Sequence, residues 1–136
     1  MNTPLSILDL APISAGSDAV TALRNTVDLA RHAEQWGYQR YWVAEHHLVS
    51  VASSSPAVLV GQIAAATERI RVGTAAVQLG HTTAVAVVES FGTLAAFHPG
   101  RTTWGWAAPV RSAPKQCETS RVSPDRHASG TRSTVW

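Results

Sequence analysis

A chain of 136 residues, 45% apolar and 15% charged, with a formal charge of +2, is long enough for one ordinary soluble domain. The single Cys117 excludes a disulfide framework and a cysteine-based zinc site. No apolar run spans a membrane, and Met1 to Leu10 lacks the pattern of a signal peptide, so a cytoplasmic protein is expected.

The charge divides unevenly. Met1 to Arg101 holds six arginines against seven carboxylates, whereas Thr102 to Trp136 holds five cations against two. The basic balance belongs to the tail. No basic face with aromatic platforms marks a nucleic-acid interface in the first hundred residues, and no nucleic-acid or membrane partner is expected.

In chain order, Ile7 to Leu10 is the first expected strand, ended by Ala11-Pro12. Ser17-Asp18 supplies an N-cap before an apolar stripe at Val20, Leu23, Val27, Ala30 and Ala33. Gly37 stops that helix after Trp36. Tyr41 to Ala44 favours a strand. Ser55-Pro56 joins an N-cap to a proline at the first helical position, opening a helix that carries Leu59, Ile63 and Ala66. Ile70 to Ala76 reads as a third strand with Gly73 near its middle. A third helix is predicted over about Thr83 to Phe97, with Val87, Val88, Phe91 and Leu94 available for burial, and His98-Pro99-Gly100-Arg101 ends it.

Strands beginning near residues 7, 41 and 70, with a fourth due just after 101, match βαβ units of about 30 or more residues. Right-handed crossovers between parallel strands give a doubly wound sheet or a barrel. The G-x-G-x-x-G fingerprint is missing after the first strand, and periodicity does not choose between the two folds. From Thr102 the composition turns to Ser, Thr, Pro and Arg, with three tryptophans that lack periodic apolar partners. This tail, 102–136, is expected to be disordered and to form no domain.

The distinctive chemistry lies in Trp42-Val43-Ala44-Glu45-His46-His47, at the carboxyl end of a strand, where α/β folds bind ligands. Adjacent residues of an extended segment point to opposite faces, so His46 and His47 do not readily share a metal ion. The H-E-x-x-H spacing is also missing. A surface loop with ionisable residues and a catalytic or cofactor contact both remain open. The small residues of Arg71-Val72-Gly73-Thr74-Ala75-Ala76-Val77 admit a flat ligand or a neighbouring helix. Ser53 to Ser55 reads as a capping loop, His98 and Arg101 as helix terminators, and Cys117 has no base placed near it.

Five segments, Ser6 to Leu10, Arg40 to His47, Ala52 to Pro56, Ile70 to Thr74 and Phe97 to Arg101, occur in an order and spacing that resemble the amino-terminal part of bacterial luciferase-like, flavin-dependent monooxygenases. The resemblance covers about residues 1–101. It implies a partial (β/α)8 TIM barrel of about three βα units, reduced FMN (a deazaflavin in some relatives), and O2 as oxidant of a small organic substrate through a flavin peroxide. It further implies that His46 is catalytic, since an imidazole can exchange protons near neutral pH. Glu45, Thr74, Ala75 and Ala76 would line the flavin, the last three often with a non-prolyl cis peptide. A flavin reductase and a second copy of the chain are the partners it suggests, and no metal. Relatives often carry Pro-Asn-His after the third strand, where this chain has Gly80-His81-Thr82, which leaves substrate specificity open.

After Arg101 the family continues with a strand like Asp-Leu-Gly-Leu-Gly-Arg-Ala, whereas this chain reads Thr102-Thr103-Trp104-Gly105-Trp106-Ala107-Ala108. Joining the third base of each codon to the first two of the next yields codon families compatible with the family strand at every position. The tail is therefore read as frameshifted, and the chain as a truncated, inactive member. A half-barrel that assembles into an active oligomer and a small flavodoxin-like binding module are the alternatives.

Overall fold

The computed structural model describes residues 3–47 and 50–107. Four strands, β1 (Ser6–Asp9), β2 (Arg40–Val43), β3 (Arg71–Gln78) and β4 (Thr102–Ala107), alternate with three helices, α1 (Ala19–Gln35), α2 (Pro56–Ala66) and α3 (Ala84–Phe97). All neighbouring strands are parallel, in the order β1-β2-β3-β4. A doubly wound sheet reverses its strand order at a switch point. Here the order never reverses, and one core cluster joins residues of all three helices to β2 and β3. Sequential order with the helices on one face is the barrel solution.

Local chemistry sets each boundary. The Asp18 side chain accepts the Thr21 N–H at 2.7 Å to start α1, and Gly37, at φ +84, lets the chain leave it. Pro56 opens α2, although the Ser55 side chain makes no capping bond. Thr83 caps α3 by accepting the Ala86 N–H at 3.2 Å.

Two charged side chains then close the far ends of the helices. Arg101 donates to the carbonyls of Ala64 (3.0 Å), Thr67 (2.7 Å) and Ile70, and to the Thr67 hydroxyl (2.6 Å). It satisfies orphan carbonyls at the end of α2 rather than those of the helix it follows. Glu34 accepts the N–H groups of Glu68 (3.0 Å), Arg69 and Ile70 (2.8 Å), which fixes the turn into β3 against α1.

The helix-facing core is built from Tyr41, Val43, Val60, Ile63 and Val72, all fully buried or nearly so. Each such aliphatic contributes about 1.5–3 kcal/mol relative to exposure. Strand alternation puts Leu8, Trp42 and Gly73 on the opposite, concave face, where Leu8 is 56% exposed. Large exposed apolar residues lie on all three helices, with Val20 and Leu29 on α1 and Trp36 just after it, Val58 on α2, and Val85, Val88 and Phe97 on α3.

The expectation of a disordered tail needs correction at its start. Thr102–Ala107 pairs with β3, from Val72↔Thr102 to Gln78↔Ala107, where the strand spacing places a fourth strand. Trp104 is not without a partner, because it stacks on Phe91 with ring centroids 5.9 Å apart. Residues 108–136, including Cys117, lie outside the described residues.

Burial raises the pKa of the Glu34 carboxyl, but the N–H donors of Ile70, Arg69 and Glu68 outweigh it and hold the group below its ordinary 4.5. A carboxylate depressed in the fold stabilises fully above its unfolded pKa and loses that contribution as pH falls through the folded one. Glu34→Gln should therefore lower stability at neutral pH and flatten the fall in stability below pH ~4.5, read from denaturant midpoints across that range.

Candidate functional site

The carboxyl end of β2 continues its alternation into Ala44 to His47. Val43 and Glu45 are buried, His46 is exposed and His47 is half-buried. The loop is held by backbone and side chain together: the Ser53 hydroxyl donates to the Ala44 carbonyl, and the Ser53 carbonyl accepts the His46 N–H at 3.0 Å. Glu45 lies among protein groups with its side chain 4% exposed. One carboxylate oxygen meets His47 Nε2 at 2.6 Å, and the other accepts the Gln78 N–H at 2.8 Å. The Glu45 carbonyl accepts from Gln78 Nε2 at 2.6 Å. Glu45 thus ties the end of β2 to the end of β3.

His47 packs on His81 with ring centroids 4.2 Å apart, beside a cleft of about 200 Å³ that also includes Ser55 and Ser90. The described residues contain no group of His, Cys, Asp and Glu able to hold a metal ion.

The end of β3 departs from regular pairing. Thr74 pairs with Trp104 and Val77 with Trp106, so Ala75 and Ala76 stand against Gly105 alone in a bulge. The Thr74 hydroxyl donates to the Ala76 carbonyl at 2.9 Å and braces the bulge from inside. No cis peptide occurs among the described residues, so the expectation of one at Thr74-Ala75-Ala76 is corrected: the bulge turns the chain with trans bonds. Gly73 is required just before it. A Cβ there would stand 2.8 Å from the Trp42 ring and collide with the Thr103 carbonyl. Gly105 is similarly tight, its Cβ position 3.1 Å from the Ala75 carbonyl oxygen.

These elements build a concave apolar patch of about 250 Å³ from Leu8, Trp42, Thr74, Ala75 and Gly105. Of the expected cofactor contacts, Thr74 and Ala75 line it. Ala76 is half-buried just outside, with its carbonyl taken by Thr74, and Glu45 is turned toward Gln78. His46 stands exposed on the extension of β2, following Trp42 and Ala44 at the two-residue period of the concave face. Leu8, Trp42 and Gly105 were not among the expected cofactor contacts. A two-residue count back from His46 finds Trp42, and parallel register then finds Leu8.

Removing the Glu45 carboxylate leaves the Gln78 N–H without its acceptor, a loss of about 1–3 kcal/mol for a charged partner. Glu45→Ala should accelerate hydrogen exchange at Gln78 and the bulge far more than at β1, with Glu45→Gln intermediate. Unchanged exchange at Gln78 would remove Glu45 from this role.

The comparisons with known proteins agree with this architecture. The profile of the luciferase-like monooxygenases matches residues 3–120. A luciferase-like monooxygenase of Escherichia coli is 41% identical over 126 residues, 92% of this chain and 36% of that protein. The crystal structure of apo-MsnO8 superposes with a TM-score of 0.76 at 37% identity, over 82% of this chain and 34% of that one. The FMN complex of the oxygenating constituent of 3,6-diketocamphane monooxygenase from Pseudomonas putida superposes at 0.71, over 79% of this chain and 30% of that one; at 19% identity it bears on the fold alone. The chain spans about a third of the length of these proteins. With the profile covering most of its residues, the chain belongs to the luciferase-like monooxygenase family.

Proposed function

We propose that residues 3–107 form the amino-terminal wall of a flavin-dependent monooxygenase that oxidises a small organic substrate with O2 and reduced FMN. The observation that supports this reading is the concave patch of Leu8, Trp42, Thr74, Ala75 and Gly105 on the parallel sheet, while His46 is exposed beyond the end of β2. The patch suits one face of a planar ring system. Leu8 and Trp42 are apolar and broad, while Ala75 adds almost no side-chain bulk, so a flat ring can approach the backbone. A deazaflavin has the same planar outline, and the patch accommodates either.

Bound reduced flavin would supply the electrons that activate O2. The chain contributes the surroundings. Leu8 and Trp42 keep water from one side of the ring, the bulge presents Ala75 without steric bulk, and the His46 imidazole holds or moves a proton at the reacting oxygen. Glu45 acts at one remove, by anchoring the β3 end that carries the bulge.

The phosphate of a barrel-bound ligand is often held by loops after the seventh and eighth strands. The four described strands include neither, so the chain by itself is proposed to be inactive. A shift of reading frame after Arg101 is the cause we propose, supported by the match of the offset codons to the family's fourth strand. Sequencing the DNA across codons 95–136 tests the frame directly: an offset frame that stops at once, or encodes no further βα pattern, removes it.

Two binding and rate measurements follow. Anaerobic titration with reduced FMN should show weak binding by this chain and tight binding by a chain whose frame is shifted by one base after Arg101. Equal tight binding by both would show that the described half builds a complete flavin site. In that longer chain, His46→Ala should slow oxygenation by about 10²–10⁴-fold while changing flavin affinity much less, and unchanged turnover would remove His46 from catalysis.

A further inference from the structure

The Glu45–His47 pair borders a second site, on the other side of the sheet from the concave patch. The cleft beside it shares no lining residue with that patch, and its floor is Val77, Val87 and Phe91 of the helix-facing core. Its walls come from the ends of β2 and β3 and the first turns of α2 and α3. One wall is His81, from the Gly80-His81-Thr82 segment that stands where relatives often carry Pro-Asn-His.

Three titratable groups line this cleft, Glu45, His47 and His81. An ionised carboxylate only accepts, so the His47 Nε2 that meets Glu45 at 2.6 Å carries a hydrogen and donates it. Nδ1 is the nitrogen that His47 has left. The His81 ring packs on the same imidazole with centroids 4.2 Å apart, and among the described residues no carboxylate pairs with His81. Glu45 can balance one imidazolium. Two imidazoliums this close repel unless a second negative charge joins them, and the cleft lining supplies none. The other polar lining includes the hydroxyls of Ser54, Ser55 and Thr82, of which Ser55 makes no capping bond. Hydroxyls and imidazole N–H groups all donate, and the two Glu45 oxygens are turned to His47 and Gln78.

We propose that this cleft binds a small oxyanion, a carboxylate or phosphoryl group, between His47 and His81, with the hydroxyls of Ser54, Ser55 and Thr82 as further donors. The volume of about 200 Å³ equals that of six or seven waters at ~30 Å³ each, room for such a group and a few carbons. The anion supplies the charge that a second imidazolium lacks, so its binding takes up a proton. Because His47 is bonded to Glu45, and Glu45 to Gln78, the occupant also steadies the end of β3. The inference is independent of the flavin chemistry proposed above.

The unaltered chain is titrated near neutral pH, at constant ionic strength, with phosphate, with acetate and with chloride as the reference. The imidazole resonances of His47 and His81 are followed by NMR, and the heat of binding is measured in two buffers of different ionisation enthalpy. The expected result is a saturable shift of both rings with phosphate or acetate, none with chloride, and net proton uptake. Whichever oxyanion binds more tightly tells a phosphoryl from a carboxylate site. H81N keeps a donor but cannot take a charge, and should weaken binding about tenfold or more. Should circular dichroism show that H81N does not fold, H81Q replaces it. Replacing the exposed His32 on α1 by Asn should leave binding unchanged. The proposal is overturned if neither oxyanion shifts the two rings saturably, if binding takes up no proton, or if the His81 variant binds as tightly as the unaltered chain.

Discussion

The Asp9 carboxylate is the constraint on which the geometry of the site depends. One oxygen accepts the Ala11 N–H at 2.8 Å, and the other accepts the hydroxyls of Thr26 at 2.7 Å and Tyr41 at 2.6 Å. A single side chain therefore fixes the end of β1, a face of α1 and the middle of β2. Tyr41 is fully buried, and burial, followed by its bond to Asp9 and the charge there, pushes the phenol far above its ordinary pKa of 10.0. The phenol stays protonated and remains a donor at every working pH. Without Asp9 a buried hydroxyl would lose its charged acceptor, at a cost of about 1–3 kcal/mol. The carboxylate also holds Ala11 at φ +51, a left-handed conformation that a residue with a Cβ adopts at a cost of about 1–2 kcal/mol. That turn carries the chain back to pair Pro12 with Val51, placing the loop that holds His46.

Much of this was legible in the residues, and where it was not the reason is physical. The Asp18 cap, the glycine exit at Gly37, the proline start at Pro56 and the fourth-strand spacing are local signals, and each matches an element boundary within a residue or two. Glu45 is different. The burial alternation that separates His46 from His47 also separates Glu45 from His46: His46 is exposed, whereas Glu45 is buried. The family resemblance assigned them together, while the backbone period separates them and gives Glu45 to Gln78. Long-range partners such as Gln78 for Glu45, or the end of α2 for Arg101, leave no periodic trace in the sequence, because what selects them is proximity in the fold.

Composition misled at the start of the tail for a related reason. Thr102 to Ala107 is poor in large aliphatics, yet β-branched and aromatic residues suit a strand, and β3 offers it an open parallel edge. Gly105 turns the shortage of side chains into a fit, since its Cβ position lies 3.1 Å from the Ala75 carbonyl oxygen across the bulge. Glycines at positions 73 and 105 both relieve crowding around this bulge. The first lets Trp42 lie over β3, and the second lets β4 come close where Ala75 and Ala76 crowd the pairing.

The distribution of exposed apolar surface follows in part from the neighbours of each element. A complete barrel surrounds every strand by two neighbours and flanks every helix by two others. Here α2 sits in the middle, and Leu59, Val60, Ile63 and Ala64 are all buried. At the ends of α1 and α3, each with a neighbour on only one side, Trp36 and Phe97 stay 64% and 77% exposed. The β1 edge and the concave face repeat the pattern with Leu5, Leu8 and Leu10. Exposed apolar residues are nonetheless found on the middle helix too, where Val58 is 64% exposed, so this surface is shared by all three helices and the concave face. Hydrophobic burial has no direction and accepts any apolar partner.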